Sequence, residues 1–309
     1  MTAPGRAPEA LIGFELITEI IETALYSAYL KGTIPLSAIV IGPSGGGKSK
    51  SIMQYGGTNG CHLTNDITSS GLQEILERDH EGKIRTLIIP DFNVVLSHRA
   101  STLQLTIANL LSVTSEGTVR IDDGREKKET KHLPVGIITA MTRELYMHVA
   151  RKWAILGFNR RFIPIFFEYS VRTRQQIQDS IASDTVSLLQ LLPREIHRPA
   201  YADVSIPKDF AQRIQGLSDD LSNNIGWIPN LQRRSHKAKE PTKDYDETKP
   251  RADKAVFVGK ALEFTPHLAL RSMARAHALK EGRQHVEQPD INFLMALIEF
   301  TRYDQPGKI

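Results

Sequence analysis

Gly42, Gly47, Lys48 and Ser49 stand in the order G-x-x-x-x-G-K-S, directly after the apolar run Ser37-Ala-Ile-Val-Ile41. These types at this spacing suit one task, holding a chain of phosphates. Glycines let backbone N–H groups curl round an anion where a Cβ would block its approach. Lys48 then brings a point charge to the β- and γ-phosphates, and the Ser49 hydroxyl can ligate Mg²⁺. A helix opening near Lys48 adds the positive end of its dipole. Gly42, Pro43, Ser44, Gly45, Gly46, Gly47, Lys48, Ser49 and Lys50 are therefore the candidate nucleotide-binding residues, with ATP and Mg²⁺ as expected ligands. The stretch Gly42-Pro-Ser-Gly-Gly46 also satisfies G-x-S-x-G, a hydrolase elbow with Ser44 as nucleophile. Gly47-Lys48-Ser49 following at once favours phosphate binding.

A second motif is acidic. Leu87-Ile-Ile-Pro-Asp91 is an apolar run ending in a carboxylate, the place where proteins with such loops hold Mg²⁺ or its water. Ser49 and Asp91 are thus the candidate metal ligands. The competing reading of Asp91 is a helix N-cap or turn residue after a core strand.

The elements that must position these residues follow from periodicity. Residues 14–31 carry Leu16, Ile20 and Ala24 at helical spacing, with Gly32 as a stop. A strand at 37–41 is followed by the loop, a helix from Lys48 to about Tyr55 and a short strand near 61–63. Ser70 and Gln73 form an S-x-x-Q capping box for a helix to about Arg78. A strand at 85–90, a helix at 101–113, a strand at 135–140, a helix at 143–152 and a strand at 163–168 continue the alternation. Such alternation predicts α/β architecture with a mostly parallel sheet covered on both faces. Between them, 118–132 predicts a hairpin turning at Asp123-Gly124. Beyond Glu168 helices dominate (172–192, 207–217, 260–281, 289–303), and Ser235–Lys254 is a polar stretch expected to form a mobile loop.

Composition sets outer bounds. The 309 residues suffice for one large or two ordinary domains. No run is apolar enough to span a membrane, and no signal peptide is evident. Cys61 is the only cysteine, which excludes an internal disulfide and suits a cytoplasmic location. A net charge of +4 permits a polyanionic partner without requiring one.

The order of the pieces resembles the AAA+ ATPase family over nearly the whole chain, closest to its magnesium-chelatase, MoxR and minichromosome-maintenance branches. Leu11-Ile-Gly13-Phe14 is similar to the segment lining the adenine pocket, which makes Gly13 a candidate binding residue. Leu110–Ile121 resembles the helix and hairpin ahead of the sensor-1 strand, and Gly136–Thr142 that strand itself, with Thr142 in the usual asparagine position and Thr139 as runner-up. Gly157-Phe-Asn-Arg-Arg-Phe162 is similar to the arginine-finger box, with Arg161 as the finger. Phe264–Arg271, His277–Arg283 and Pro289-Asp-Ile291 resemble the C-terminal helical lid. The implied division is a nucleotide-binding domain over 1–170 and a lid over 171–309, the latter with an insertion and a loop near 232–256.

Three departures stand out. The strand end reads Pro90-Asp91-Phe92 where the family has Asp-Glu, so Asp91 is either the metal-side residue without a catalytic partner or stands in the glutamate's place, and either way slow hydrolysis or a nucleotide-gated switch is expected. His267 stands where the lid offers an arginine; on a stripe with Arg271 and Arg275, Arg271 is the candidate to substitute at the γ-phosphate. Residues 193–256 have no assigned counterpart. With Lys48, Asp91, Thr142 and Arg161 in catalytic roles, the resemblance implies an ATPase with sites between subunits of a homo-oligomer, a hexameric ring. DNA is the first candidate substrate, because Arg120, Arg125, Lys127 and Lys128 lie on a hairpin that faces the channel in related rings, although Asp122, Asp123, Glu126 and Glu129 are interleaved. A weakly hydrolysing ATP-gated scaffold and a MoxR-like protein-remodelling chaperone are the alternatives, and a separate specificity protein is an expected partner.

Overall fold

In the computed structural model the described residues are 11–79, 81–122, 127–158, 161–182, 193–196, 199–224, 265–301 and 307–308. They form a six-stranded parallel sheet with helices on both faces. The strands are β1 (Ser37–Gly42), β2 (Cys61–Leu63), β3 (Thr86–Ile89), β6 (Gly136–Thr142), β7 (Phe162–Glu168) and β8 (Gly307–Lys308), in the order β2-β3-β6-β1-β7-β8. β4 (Thr118–Asp122) and β5 (Lys127–Lys131) make a separate antiparallel hairpin. The expected α/β architecture is borne out.

All six residues of β1 are buried, because it lies between β6 and β7 with helices above and below. That is why it reads as one unbroken apolar run. Its side chains alternate between two cores. Ala38 and Val40 join a cluster with Ile17, Ile20 and Ile21 of α1 (Glu15–Tyr26) and with α8 (Lys208–Asn224), α9 (Thr265–Lys280) and α10 (Gln288–Phe300). Ile39 and Ile41 join the opposite cluster. It contains Leu72 of α3 (Ser69–Arg78), Leu110 of α5 (Ala100–Ser115) and Trp153 of α6 (Arg143–Leu156). Each isoleucine buried this way contributes ~1.5–3 kcal/mol, so the two faces fix the strand against slipping.

Local chemistry sets several boundaries differently from expectation. The first helix ends at Tyr26, and Ser27–Tyr29 form a 3-10 turn in which the Ser27 hydroxyl donates to Ala24 O at 2.5 Å. α3 is capped by Thr68, whose hydroxyl accepts from Gly71 N at 3.1 Å, and not by the expected Ser70 box. A short helix α4 (Phe92–Leu96) follows β3 and was not foreseen. Nor was β8, whose two residues pair with Phe167 and Glu168. α2 (Lys48–Met53) is shorter than expected, and α7 (Val171–Ala182) is the described part of the 172–192 helix. The polar stretch 235–254 lies outside the described residues. Among those that are described, no helix is long and apolar enough to cross a membrane.

Candidate functional site

Parallel pairing decides what meets at the two edges of the sheet. Gly42 is opposite Thr142 across the β1–β6 pair, and Ile89 is opposite Thr139 across β3–β6. The loop that leaves β1, Asp91 just past β3, and Thr142 therefore all lie at the C-terminal edge. This is where ligands bind in open α/β sheets.

Gly42 has the buried Phe167 ring where a Cβ would project, so a larger residue cannot be fitted there. Gly45 and Gly47 have φ of +69° and +74°, which L side chains rarely adopt. The loop is held from two sides. Gly46 N donates to Pro43 O at 3.2 Å, and the Tyr169 hydroxyl donates to Gly46 O at 2.8 Å. Leu11 and Phe14 pack beside Gly47, and Phe14 meets Phe167 and Tyr169 in an aromatic cluster that anchors the loop. Gly13 has φ of +82° and provides the turn into α1. Ser44 and Gly45 are exposed at the tip, while Ser49 and Lys50 are partly buried.

Lys48 is buried, and its ammonium donates to Pro43 O at 2.5 Å. Burial pulls its pKa below the usual lysine range, and the negative charges of Asp91 and Glu144 oppose that shift. Neither carboxylate forms an ion pair with it among the described residues. A buried cation in a glycine-rich turn, without an ion-pair partner, is suited to an incoming anion.

Asp91 accepts from Asn93 N at 2.9 Å and so caps α4. The capping reading is therefore realised; it occupies one carboxylate oxygen and leaves the other without a described partner. Thr142 caps α6, its hydroxyl accepting from Leu145 N at 3.4 Å. Thr139 is fully buried and donates to Ile89 O at 2.7 Å, which ties β6 to β3 and removes it as the runner-up to Thr142. Among the described residues no group of three or more His, Cys, Asp or Glu could hold a metal ion. Mg²⁺ does not need one, since it takes one or two protein ligands plus phosphates and waters. Ser49 and Asp91 fit that donor set.

Two residues at this edge were missed in the sequence. Glu144, second residue of α6, is exposed and acts on Lys48 by its charge. Glu168 ends β7 and accepts from Lys308 at 2.5 Å and from Arg143 at 2.7 Å; the Lys308 hydrogen bond holds its carboxyl below the usual range. The signal for Glu168 was its position at the end of an apolar run; Glu144 had none.

Arg161 and Arg271 lie elsewhere. Phe162 pairs with Ser37, so Arg161 is at the N-terminal edge, five residues of strand or about 17 Å from the loop of its own chain. Its guanidinium donates to Gly157 O at 3.2 Å, on a turn anchored by the stacked rings of Phe158 and Phe162. Arg271 lines a cavity of about 460 Å³ at this same edge, together with Arg161, Leu36 and Phe162. Arg271 is thus at the edge opposite the loop of its own chain, because α9 packs on α1, α8 and α10 with its first turns at the far end of the strands. Arg275 on the same helix is held by Val204 O at 2.7 Å and Thr33 Oγ1 at 2.8 Å.

On the hairpin, exposed Arg120 is already paired with Glu129 across the strands at 3.0 Å. Its backbone is clamped by the Asn109 side chain of α5 in both directions, at 2.9 and 3.0 Å. Lys127 and Lys128 lie on β5, and Arg125 lies outside the described residues.

No protein-family model matches the chain, and no curated protein matches it either.

Proposed function

We propose that the chain binds Mg-ATP on the Gly42–Ser49 loop and hydrolyses it within a homo-oligomer, as a ring ATPase of the AAA+ type with a C-terminal helical lid. The observation that carries this reading is the convergence at one sheet edge of the glycine-rich loop, Asp91 and Thr142, each from a different strand. Backbone amides of residues 44–48 and the Lys48 ammonium hold the phosphates. Ser49 and the free oxygen of Asp91 hold Mg²⁺, which neutralises charge on the β- and γ-phosphates. The Thr142 hydroxyl, whose oxygen caps α6, keeps its proton to orient a water.

Arg161 and Arg271 act on the site of a neighbouring subunit. Their shared cavity at the edge opposite their own loop supports this pairing, as does the absence of an ion-pair partner for either among the described residues. Charge supplied late by an arginine contributes ~10³ to 10⁵ in phosphoryl-transfer rate. In the same reading turnover drives work on DNA. Support for DNA comes from Arg125, Lys127 and Lys128, since Arg120 is spent on Glu129.

Titration calorimetry tests the first step. The wild-type chain is expected to bind Mg-ATP and Lys48→Ala to lose at least an order of magnitude in affinity. Equal affinity of the two proteins removes the reading. ATP turnover with and without single- and double-stranded DNA then separates the kinds of work. Stimulation assigns a DNA motor, assembly without turnover an ATP-gated scaffold, and indifference to DNA a protein-remodelling ATPase.

A further inference from the structure

The strand that ends in Pro90-Asp91-Phe92 has no glutamate after its aspartate, and the loss has a physical consequence at the edge. Asp91 gives one oxygen to the α4 cap, and in the proposed site its other oxygen binds Mg²⁺, which makes it a poor base toward a water. A second carboxylate is nevertheless present. β6 lies between β3 and β1, and its last residue, Thr142, is level with Gly42. Because Thr142 caps α6, the chain turns there, and Glu144 falls in the first turn of a 14-residue helix that begins beside the loop. No hydrogen bond or ion pair holds Glu144 among the described residues, and it is exposed. α6 also packs on β1, the strand that leads into the loop, and the charges of Glu144 and Asp91 both bear on Lys48.

We infer that Glu144 is the general base of this site, delivered from the central strand β6 in place of a glutamate after Asp91. The inference rests on the ATP-hydrolysing reading above. In the step it assigns, a water oxygen forms a bond to the γ-phosphorus while the bond from that phosphorus to the β–γ bridging oxygen breaks. The water proton passes to the Glu144 carboxylate and from there to solvent, leaving ADP and phosphate. An acidic residue in the first turn of a helix also stabilises the helix through its dipole. That role would be kept by aspartate and would appear as altered stability, not as lost turnover at unchanged affinity.

The wild-type chain, Glu144→Gln and Glu144→Asp are compared for Mg-ATP affinity by calorimetry, for steady-state turnover, and for the nucleotide retained after desalting. A general base contributes ~10² to 10⁴-fold. Glu144→Gln is therefore expected to bind ATP within about threefold of wild type, to lose turnover by a factor in that range, and to retain intact ATP where wild type retains ADP. Glu144→Asp, with charge kept and reach shortened, is expected to fall between the two. Wild-type turnover in Glu144→Gln overturns the inference and leaves the ATPase reading standing. A wild-type chain that binds no ATP, and so is indistinguishable from Lys48→Ala, overturns both.

Discussion

One oxygen of Asp91 accepts the Asn93 amide at 2.9 Å, and an asparagine at that position would accept it equally well. Alanine would not. Asp91→Asn is therefore expected to unfold in denaturant within about 0.5 kcal/mol of wild type, while Asp91→Ala loses ~1 kcal/mol with its cap. Both variants lose the charge that the proposed Mg²⁺ site relies on. Their Mg²⁺-dependent gain in ATP affinity should fall on the order of tenfold or more, to a similar degree. Calorimetry with and without Mg²⁺ on the two proteins checks this; an asparagine variant with undiminished Mg²⁺ dependence leaves Asp91 as a cap and nothing else. The residues at this edge were legible from sequence to the extent that strand ends were. Gly42–Ser49, Asp91 and Thr142 each close an apolar run, and a parallel sheet brings such ends together. Glu144 was not legible, because its importance comes from the turn that Thr142 makes by capping α6, which no pattern of apolar residues records. The place of Arg271 was not legible for a related reason: helical spacing tells which residues share a face, but not which end of the sheet that face meets.

α1, α9 and α10 are joined by a buried polar network as well as by their apolar faces. Asp290, wholly buried, accepts from His277 Nδ1 at 2.6 Å, from Arg283 at 2.5 Å and from Glu287 N at 2.7 Å, the last closing the capping box of α10. His277 Nε2 faces Glu19 of α1 at 3.2 Å, with Lys280 also near that carboxylate. Burial works against a charged His277, but its hydrogen bonds to Asp290 and Glu19 outweigh burial and raise its pKa. The His277 hydrogen bond in turn lowers the pKa of Glu19. The raised histidine contributes stability that is complete below the unfolded value of about 6.5 and is lost as pH rises through its folded value. The lowered Glu19 contributes in the opposite sense, above about 4.3 and lost as pH falls through its folded value. The difference in melting temperature between wild type and His277→Gln is thus expected to shrink as pH is raised from 6.5, by thermal denaturation across pH 6 to 9. A difference that stays constant over that span removes the ionised histidine from the account. Asp290→Ala, which leaves the buried His277 and the partly buried Arg283 without their carboxylate, should cost about 3–5 kcal/mol. The helices themselves could be read from their 3.6-residue periodicity. This network could not, since Glu19 and Asp290 are far apart in sequence and become neighbours only through packing on the sheet.

The sheet separates the proposed chemistry between its two edges, the loop at one and Arg161 with Arg271 at the other. No rearrangement within one chain short of breaking β1 would bring them together, since a buried strand of about 17 Å stands between. Either the arginines have nothing to do with ATP, or they serve a second copy in a head-to-tail contact, which closes into a ring when the rotation permits. Mixed assemblies decide between these, and also test whether the two arginines act as a pair. Lys48→Ala has a dead loop and intact arginines, while Arg161→Ala has the reverse; each alone should be inactive. When the two are co-assembled in equal amounts, about a quarter of the contacts join an intact loop to an intact arginine edge, and turnover should recover to that extent. The same holds for Lys48→Ala with Arg271→Ala. Arg161→Ala mixed with Arg271→Ala should not recover, because every contact then lacks one arginine on the edge it needs. Were Arg271 to work on the loop of its own chain, that last mixture would recover and Lys48→Ala with Arg271→Ala would not, since a chain lacking only Arg161 could borrow it from a neighbour lacking only Arg271. Absence of recovery in all three mixtures, with both variants shown to share one assembly, would confine the chemistry to a single chain and leave the arginine cavity without a part in it.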